Sequence, residues 1–285
     1  MKTVTTIDEL RAARKALPGP VGFVPTMGYL HEGHLSLVRA ARAECASVAA
    51  SIFVNPTQFA PDEDLASYPR DIPRDLSLLE AEGVALVWLP NPEVMYPAGF
   101  QTWVDVEEVS QPLEGGMRPG HFRGVTTVVA KLFNGVQPQK AYFGQKDAQQ
   151  AAVIQQMTRD LNFPVEIVVC PIARAADGLA LSSRNVYLDE AQRKAATVLY
   201  RALQAAKDSY DRGERDAGQL CRLMTETIEA EPLAKLDYVS CAHPKTLQAL
   251  ELVSEGALLS MAVYFGKTRL IDNMVIGRQG SGDQE

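Results

Sequence analysis

Two of the four histidines in this sequence of 285 residues lie three positions apart, in the segment PTMGYLHEGH at 25–34. The apolar run Val21–Val24 before it predicts a buried strand, and a helical pattern follows from Leu35. A helix that starts directly after a strand and a glycine-containing turn presents unpaired backbone N–H groups and the positive end of its dipole. Imidazoles add hydrogen-bond donors or positive charge beside them. The segment therefore predicts a phosphate-binding site that includes His31 and His34.

The same pair of histidines has two other interpretations, ordinary packing and metal binding. Histidines at i and i+3 can share a helix face and hold a metal ion together. The zinc-protease pattern is His-Glu-x-x-His, however, and this segment is His-Glu-Gly-His, one residue shorter. Gly33 also suits close approach of the backbone to a ligand better than it suits a rigid metal-binding helix. A metallohydrolase remains an alternative that metal analysis of the purified protein would test.

The composition is that of an ordinary globular protein, with 46% hydrophobic and 22% charged residues. No apolar run approaches the ~20 residues that span a bilayer, and the first residues carry no apolar signal core. Scattered cysteines without a C-x-x-C pair indicate free thiols. We therefore expect a cytoplasmic protein with no membrane partner.

The net charge of −7 argues against nucleic-acid binding. It also means that a few clustered cations must attract any polyanionic substrate.

Strand and helix patterns alternate along the first part of the chain. Strands are predicted at 21–24, 48–54, 84–89, 141–143 and 165–169, and helices at 7–17, 35–44, 75–82, 125–133 and 147–161. This alternation predicts an α/β fold, a mostly parallel sheet with helices on both faces. Later patterns, helices at 190–210 and 217–230 and strands at 236–240 and 258–265, predict a smaller α+β domain. The predicted domains are residues 1–182 and 183–285, with a disordered polar tail from 277.

Polar segments follow four of the predicted strands, where parallel sheets bind their ligands. Besides the histidine segment they are NPTQF at 55–59, GQKDAQQ at 144–150 and LSSRN at 181–185. Lys146 is a compact charge suited to a phosphate or to charge that builds on phosphorus under attack. The hydroxyls of Ser182 and Ser183 and the guanidinium of Arg184 suit further phosphate oxygens. The alternative interpretation of these residues is a serine that caps the next helix and an arginine on the surface.

Three neutral amides, Asn55, Gln58 and Gln150, suit the hydroxyl and carboxylate groups of a small polar substrate, or else cap loops. The glycine-rich, basic stretch at 115–124 predicts a mobile loop near an anionic ligand, or a surface connection. The sequence has no P-loop motif and no G-x-S-x-G elbow, and none of these segments contains a cysteine, so covalent catalysis has no support. These residues by themselves predict an ATP-using α/β enzyme that acts on a small polar acid.

Five segments resemble the pantoate–beta-alanine ligase (pantothenate synthetase) family, in the same order along the chain. They are 25–34, 53–59, 118–124, 143–150 and 177–185, and the likeness runs from Val21 to Asn273, including LIDN at 270–273. The histidine segment is similar to the HIGH motif of nucleotidylyltransferases and class I aminoacyl-tRNA synthetases. The resemblance implies a cytosolic homodimer with a Rossmann-like N-terminal domain and a smaller C-terminal domain that covers the site.

The resemblance also implies a two-step reaction in coenzyme A biosynthesis. (R)-Pantoate and Mg-ATP give pantoyl adenylate and pyrophosphate, and the amine of beta-alanine then attacks the acyl carbon to give pantothenate and AMP. Attack on an α-phosphorus needs positioning and charge stabilisation rather than a protein nucleophile, which agrees with the residues present.

Residue by residue, the family match assigns His34 as the catalytic histidine, which hydrogen-bonds or protonates phosphate oxygens, and His31 as its support. Gln58 would hold pantoate and beta-alanine with Asn55 beside it, and Gln150 would bind the pantoate hydroxyl or carboxylate. Magnesium is expected mainly on phosphates and water, with Asp75 as the candidate protein ligand. The implied ATP contacts are Met27, Gly28, Tyr29, Leu30, His31, Glu32, Gly33, His34, Gly144, Gln145, Lys146, Asp147, Ala173 through its backbone, Leu181, Ser182, Ser183 and Arg184.

Two further alternatives belong to other classes of protein. A nucleotidylyltransferase that forms no amide would use the same histidine turn, but would leave the 53–59 segment and Gln150 without an obvious role. A nucleotide-sensing module is disfavoured because candidate groups exist for every step of the reaction. The sequence shows no departure from the family pattern at its motif positions; Gln145 stands where some relatives have glutamate, a difference that should matter little.

Overall fold

The computed structural model describes residues 1–60 and 63–277, which include only the first residue of the predicted polar tail. The chain divides into two units by its internal contacts. The first consists of residues 1–145 and 149–171, and the second of residues 146–148 together with the chain from 172 onward. The division predicted at 182/183 stays a prediction.

Six parallel strands form the sheet of the first unit, in the order β1-β4-β3-β2-β5-β6. All five strands predicted there are present, and the α/β class is confirmed. The additional strand, β1, has only three residues, too few for a recognisable pattern. The strands are β1 Lys2–Val4, β2 Val21–Thr26, β3 Ser47–Ile52, β4 Leu86–Trp88, β5 Lys140–Gly144 and β6 Glu166–Cys170.

Helices cover both faces of this sheet. Val24 on β2 and Val87 on β4 pack in one buried cluster with the apolar sides of α2 and α3. Phe23 and Trp88 are also fully buried, and because successive side chains of a strand point to opposite faces, they lie on the other side. There Trp88 contacts α6 at Gly135. The helices are α1 Ile7–Lys15, α2 Glu32–Glu44, α3 Ile72–Ala81, α4 Pro92–Met95, α5 Glu114–Met117, α6 His121–Val136 and α7 Ala148–Asp160.

The prediction of a loop at 115–124 is wrong. Most of this stretch belongs to α5 and to the first turn of α6, and only residues 118–120 lie between the two helices. Gly120 adopts a positive φ of 81°, which allows the sharp reversal before α6 without steric cost. Phe122 and Val125 are buried on α6, so burial of apolar area outweighs the polar, glycine-rich composition that suggested a loop.

The second unit packs helices against a three-stranded antiparallel sheet, in the order β7-β8-β9. The predicted helices and strands are confirmed, but residues 190–210 form two helices rather than one. The sequence does not predict β9, because the polar pair Asp272 and Asn273 interrupts its apolar pattern. The elements are α8 Glu190–Ala195, α9 Val198–Asp211, α10 Ala217–Glu229, β7 Ala234–Ala242, β8 Gly256–Phe265 and β9 Thr268–Gly277.

Candidate active site

The turn between β2 and α2 is shaped by a buried carboxylate. Gly28 and Tyr29 have φ values of 88° and 50°, and a Cβ at position 28 would lie 2.9 Å from Ile52 Cγ2. The carboxylate of Asp75, on α3, accepts the backbone N–H of Tyr29 at 2.7 Å and that of Leu30 at 2.8 Å. Burial raises the pKa of Asp75, and the two backbone hydrogen bonds act against that rise. Asp75 therefore holds this left-handed turn in place.

Both histidines of the segment are tied to the first turn of α2 through the same ring nitrogen. Nδ1 of His31, the N-cap residue, accepts the N–H of Gly33 at 3.1 Å, and Nδ1 of His34 accepts the N–H of His31 at 3.3 Å. The ring centroids are 4.1 Å apart. Because Nδ1 is the acceptor in both rings, each neutral imidazole carries its hydrogen on Nε2. Two Nε2–H donors thus stand at the positive end of the helix dipole.

The neighbouring residue of this segment, Glu32, points elsewhere. Its carboxylate pairs with Arg39 farther along α2, and Arg39 also contacts Glu82. These groups are exposed or half-buried, where ion pairs contribute little stability. Leu30, by contrast, is 1% exposed and packs in the core beneath the turn. The side chains of Glu32 and Leu30 are thus engaged in an ion pair and in the core, respectively.

After β3, Asn55 holds Gln58 in one orientation. Asn55 is 1% exposed, and its Nδ2 donates to Gln58 Oε1 and to the backbone oxygen of Gly124, both at 3.1 Å. Its Oδ1 accepts the hydroxyl of Tyr96 at 2.8 Å and that of Thr57 at 3.0 Å. Both amide hydrogens and the oxygen of Asn55 therefore bond to protein groups. This arrangement makes Asn55 a residue that orients Gln58.

The backbone of Gln58 is held from a second side. Its carbonyl oxygen accepts Nδ1–H of His121 at 2.8 Å and a longer bond of 3.4 Å from Arg118, which pairs with Glu63. Burial, together with the charge of Arg118, lowers the pKa of His121 to about 4, so the ring is neutral. The Gln58 amide in turn points Nε2 at Met27 Sδ, 3.2 Å away. The segments after β2 and β3 thus meet at Gln58.

Gly124 allows α6 to lie directly against this segment. A Cβ at position 124 would be 2.4 Å from the backbone oxygen of Thr57 and 2.8 Å from the backbone nitrogen of Gln58, too close for any side chain. Sequence reasoning missed Tyr96 and His121 as supporting residues. His121 lies in the glycine-rich stretch whose composition suggests a loop, and Tyr96 lies 41 residues from Asn55 with no local pattern to mark it.

The two glutamines at the start of α7 have different surroundings. The amide of Gln149 is buried and bonds to the backbone of Val109, Pro112 and Glu114. Gln150, the residue that the resemblance assigns to pantoate, is half-buried beside it. Gln149 thus stabilises the chain before α5, and the substrate role of Gln150 stays a prediction.

In the second unit, Lys146 lies in a short 3₁₀ turn, Gln145–Asp147, that follows Gly144 at the end of β5. The backbone oxygen of Lys146 accepts Nδ2 of Asn273 at 2.8 Å. Its ammonium is 3.9 Å from the carboxylate of Asp147, which is half exposed. This long, solvated pair is a weak one. Lys146 therefore has an anchored backbone and a charge that is not strongly neutralised by Asp147.

Residues 172–188 form a tight turn followed by a 3₁₀ helix. The N–H of Leu181 bonds to the oxygen of Ala173 at 2.9 Å, and Arg174 pairs with Ala180. Oγ of Ser182 accepts the N–H of Arg184 at 3.3 Å, so the capping role considered for this serine is present. Ser183, next in the chain, is buried. The structure thus places Ala173, Leu181 and the two serines in one short region of the second unit.

Among residues 1–60 and 63–277, no group of three or more His, Cys, Asp or Glu side chains could hold a metal ion. Asp75, the candidate magnesium ligand, is buried with both oxygens bonded to backbone N–H groups. The expectation that magnesium is held mainly by phosphates and water stays a prediction. In the same part of the chain, no helix has the length and apolar character needed to cross a bilayer.

In the first unit, a histidine-bearing turn follows β2 of the parallel sheet and oriented amides follow β3. This arrangement is that of an α/β nucleotide-using enzyme that acts on a small polar substrate. The family model described as "Pantoate-beta-alanine ligase" matches residues 2–275. The chain belongs to the pantoate–beta-alanine ligase family. Its activity is the condensation of pantoate with beta-alanine with the use of ATP.

Individual relatives match over nearly the full length. The chain is 62% identical to the pantothenate synthetase of Herpetosiphon aurantiacus, over 97% of this chain and 100% of that one. The crystal structure of pantothenate synthetase from Thermus thermophilus superimposes with a TM-score of 0.93 at 52% identity, covering 98% and 100% of the two chains. The Francisella tularensis ligase, complexed with beta-gamma ATP and beta-alanine, matches with a TM-score of 0.80 at 36% identity, covering 96% and 97%.

Proposed function

We propose that the condensation proceeds through a pantoyl adenylate, as the family resemblance implies. A carboxylate oxygen of pantoate attacks the α-phosphorus of ATP, and the bond from that phosphorus to the bridging oxygen breaks to release pyrophosphate. The amine of beta-alanine then attacks the acyl carbon, the bond from that carbon to the phosphate oxygen breaks, and AMP and a proton leave. The observation that carries this proposal is the start of α2, where two imidazoles and the helix dipole offer donors to phosphate oxygens.

In this proposal His34 is the catalytic histidine. Its Nε2–H donates to the phosphate oxygens as negative charge develops on them, and His31 supports the same phosphates. Lys146, Ser182, Ser183 and Arg184 bind further phosphate oxygens. The cation and the pre-oriented donors stabilise the charge that appears in the transition state, the largest catalytic contribution available without a protein nucleophile.

The two acids would be held by amides. Gln58 binds pantoate and then the incoming beta-alanine, and Gln150 binds the pantoate hydroxyl or carboxylate. The hydrogen bond from Asn55 to Gln58 Oε1 supports this role for Gln58, because it leaves Nε2 as the donor directed away from Asn55. A side chain held in one orientation loses little entropy when the substrate binds, which lowers the cost of positioning it.

Magnesium would enter as part of the Mg-ATP substrate, with its ligands mainly phosphate oxygens and water, as this ion prefers. The two backbone hydrogen bonds of Asp75 support a structural rather than a metal-binding role for that residue. The backbone oxygen of Ala173 and the N–H groups of 27–34 and 144–147 would complete the nucleotide contacts.

A cytoplasmic homodimer is the assembly that the resemblance implies. Sedimentation equilibrium at micromolar concentration would check this assembly. A mass of twice 31.1 kDa is expected, and a monomer at all concentrations would contradict it.

Exchange of labelled pyrophosphate into ATP tests the adenylate directly. With pantoate and Mg-ATP but no beta-alanine, the reversible first step should move label into ATP, whereas omission of pantoate should abolish the exchange. AMP should accumulate only when both acids are present, with pantothenate in equal amount. Exchange that requires beta-alanine would contradict a separate adenylation step, although the overall condensation would remain.

A further inference from the structure

Two adjacent polar residues lie buried in the middle of β9. Asp272 is 1% exposed and Asn273 is 3% exposed. They pair with Met261 and Ser260 on β8 in an otherwise regular antiparallel register. Burial of a charged carboxylate and an amide is costly unless both are hydrogen-bonded. Their bonding partners therefore indicate what the pair does.

Asp272 is bonded on both of its oxygens. Arg174 donates to them at 2.6 and 2.8 Å, and the backbone N–H of Asn273 donates at 2.8 Å. Arg174 is itself fixed, since it donates to the oxygen of Gly178 at 2.9 Å and lies 4.6 Å from the centroid of the Tyr200 ring. A planar guanidinium with two parallel bonds to one carboxylate is a rigid connection. The pair joins β9 to the turn at 174–180.

Asn273 extends this connection to Lys146. Its Nδ2 donates to the backbone oxygen of Lys146 at 2.8 Å, and its own backbone oxygen accepts from Arg174 at 3.3 Å. Lys146 lies in a three-residue turn, and its ammonium sits at the end of four flexible carbons. The position of that ammonium is therefore only as well defined as the backbone from which it extends.

We propose that Asn273, held by the Arg174–Asp272 pair, is a positioning residue that fixes the backbone of Lys146 for the transfer of the adenylyl group. The inference rests on the proposed role of Lys146 at the phosphates. Asn273 acts on the reaction by holding the backbone of Lys146. Because a displacement of about 1 Å in a catalytic group can cost on the order of 10²-fold in rate, loss of this one bond should lower kcat by about 10-fold.

A double-mutant cycle separates positioning from general stability. Lys146→Met removes the ammonium and keeps the backbone, and Asn273→Ala removes the donor. The rate of pantoyl adenylate formation, measured in single turnover, should fall about 10-fold for Asn273→Ala in the wild-type background and remain unchanged by the same substitution in the Lys146→Met background. Asn134→Ala is the matched control, because its amide also donates to a backbone oxygen, that of Ala130. It should keep the wild-type rate.

Asn273→Asp supplies a second readout if the alanine variant fails to fold. An ionised carboxylate cannot donate to the oxygen of Lys146, but a protonated one can, so the rate of this variant relative to wild type should rise as the pH falls. The groups around it are Asp272, Arg174 and Lys146. A pH-independent rate ratio would overturn the positioning role.

The outcomes distinguish the inference from the function on which it rests. If Lys146→Met is slow but Asn273→Ala keeps the wild-type rate, the inference is overturned and Lys146 keeps its role. Equal losses from Asn273→Ala in both backgrounds would also overturn it, since they would indicate a purely structural effect. A wild-type rate for Lys146→Met would refute the role of Lys146, and the inference would fall with it.

Discussion

Nδ1 of His34 accepts the backbone N–H of His31 at 3.3 Å, and this bond leaves Nε2 as the nitrogen that carries the hydrogen of the neutral ring. Together with the bond from Gly33 to His31, it forms a capping box in which two histidines take the places usually held by a serine or threonine and a glutamate. The histidine pair therefore caps the helix and presents two Nε2–H donors through the same geometry. The capping role and the proposed chemical role of the motif are thus compatible.

We expect His34→Ala to lower kcat by at least ~10²-fold, because it removes a donor aimed at developing charge. The lost cap should also cost about 1 kcal/mol of stability. His243→Ala is the matched control, since Nδ1 of His243 likewise accepts backbone N–H groups, those of Lys245 and Thr246. Steady-state kinetics and urea unfolding of both variants are the measurements. A folded His34→Ala enzyme with wild-type turnover would refute the assignment.

Asp75→Asn separates a structural from a metal-binding role for this carboxylate. An amide has one acceptor oxygen, so it leaves the N–H of Tyr29 or Leu30 facing another donor, and we expect a loss of about 1–3 kcal/mol in the free energy of unfolding. The magnesium concentration that gives half-maximal activity should stay at the wild-type value. Unchanged stability with a higher magnesium requirement would instead identify Asp75 as a metal ligand.

Stability should fall as the pH is lowered because His121 is buried in its neutral form. Its pKa is about 4 in the folded protein, against an ordinary value of 6.5 for a solvated histidine, so between these values the unfolded chain binds more protons. By linkage, stability then rises with pH across this window, and crossing it fully costs about 3 kcal/mol. Urea unfolding of wild type and His121→Asn between pH 4 and 8 measures the effect.

The stability difference between wild type and His121→Asn should be constant above pH 7 and should shrink as the pH falls from 6.5 to 4. Asparagine can still donate to the oxygen of Gln58 but carries no titratable ring. A difference that is independent of pH over this window would show that His121 protonates equally well in the folded and unfolded states.

Tyr96→Phe tests the bond that holds Asn55. The substitution keeps the ring, which packs against Phe53 and Phe100, and removes only the hydroxyl that donates to Asn55 Oδ1. Loss of one hydrogen bond of about 1 kcal/mol should raise the KM for pantoate about 5-fold and leave the KM for ATP unchanged. Tyr264→Phe serves as the control. Equal changes in the KM for pantoate and the KM for ATP would contradict an effect of Tyr96 on pantoate binding through Asn55 and Gln58.

The amino-acid sequence by itself determined the parallel sheet, the helices that cover it and the histidine turn. These features depend on periodicity, caps and turns that extend over a few residues, as in α2, where the bonds join positions two and three apart. The polar segments after the strands followed from the same patterns, because topology places the carboxyl ends of parallel strands at one edge of the sheet. The family resemblance then identified the substrates.

Only the tertiary structure showed which distant polar groups bond to the residues of the candidate site. Asp75 lies 46 residues from Tyr29, and Asn273 lies 127 residues from Lys146, so neither bond leaves a trace in local sequence. The stretch at 115–124 resembles a loop in its polar composition, whereas burial of its apolar side chains makes it helical. Such contacts exist only once packing brings distant segments together and excludes water, which makes an unpaired polar group costly.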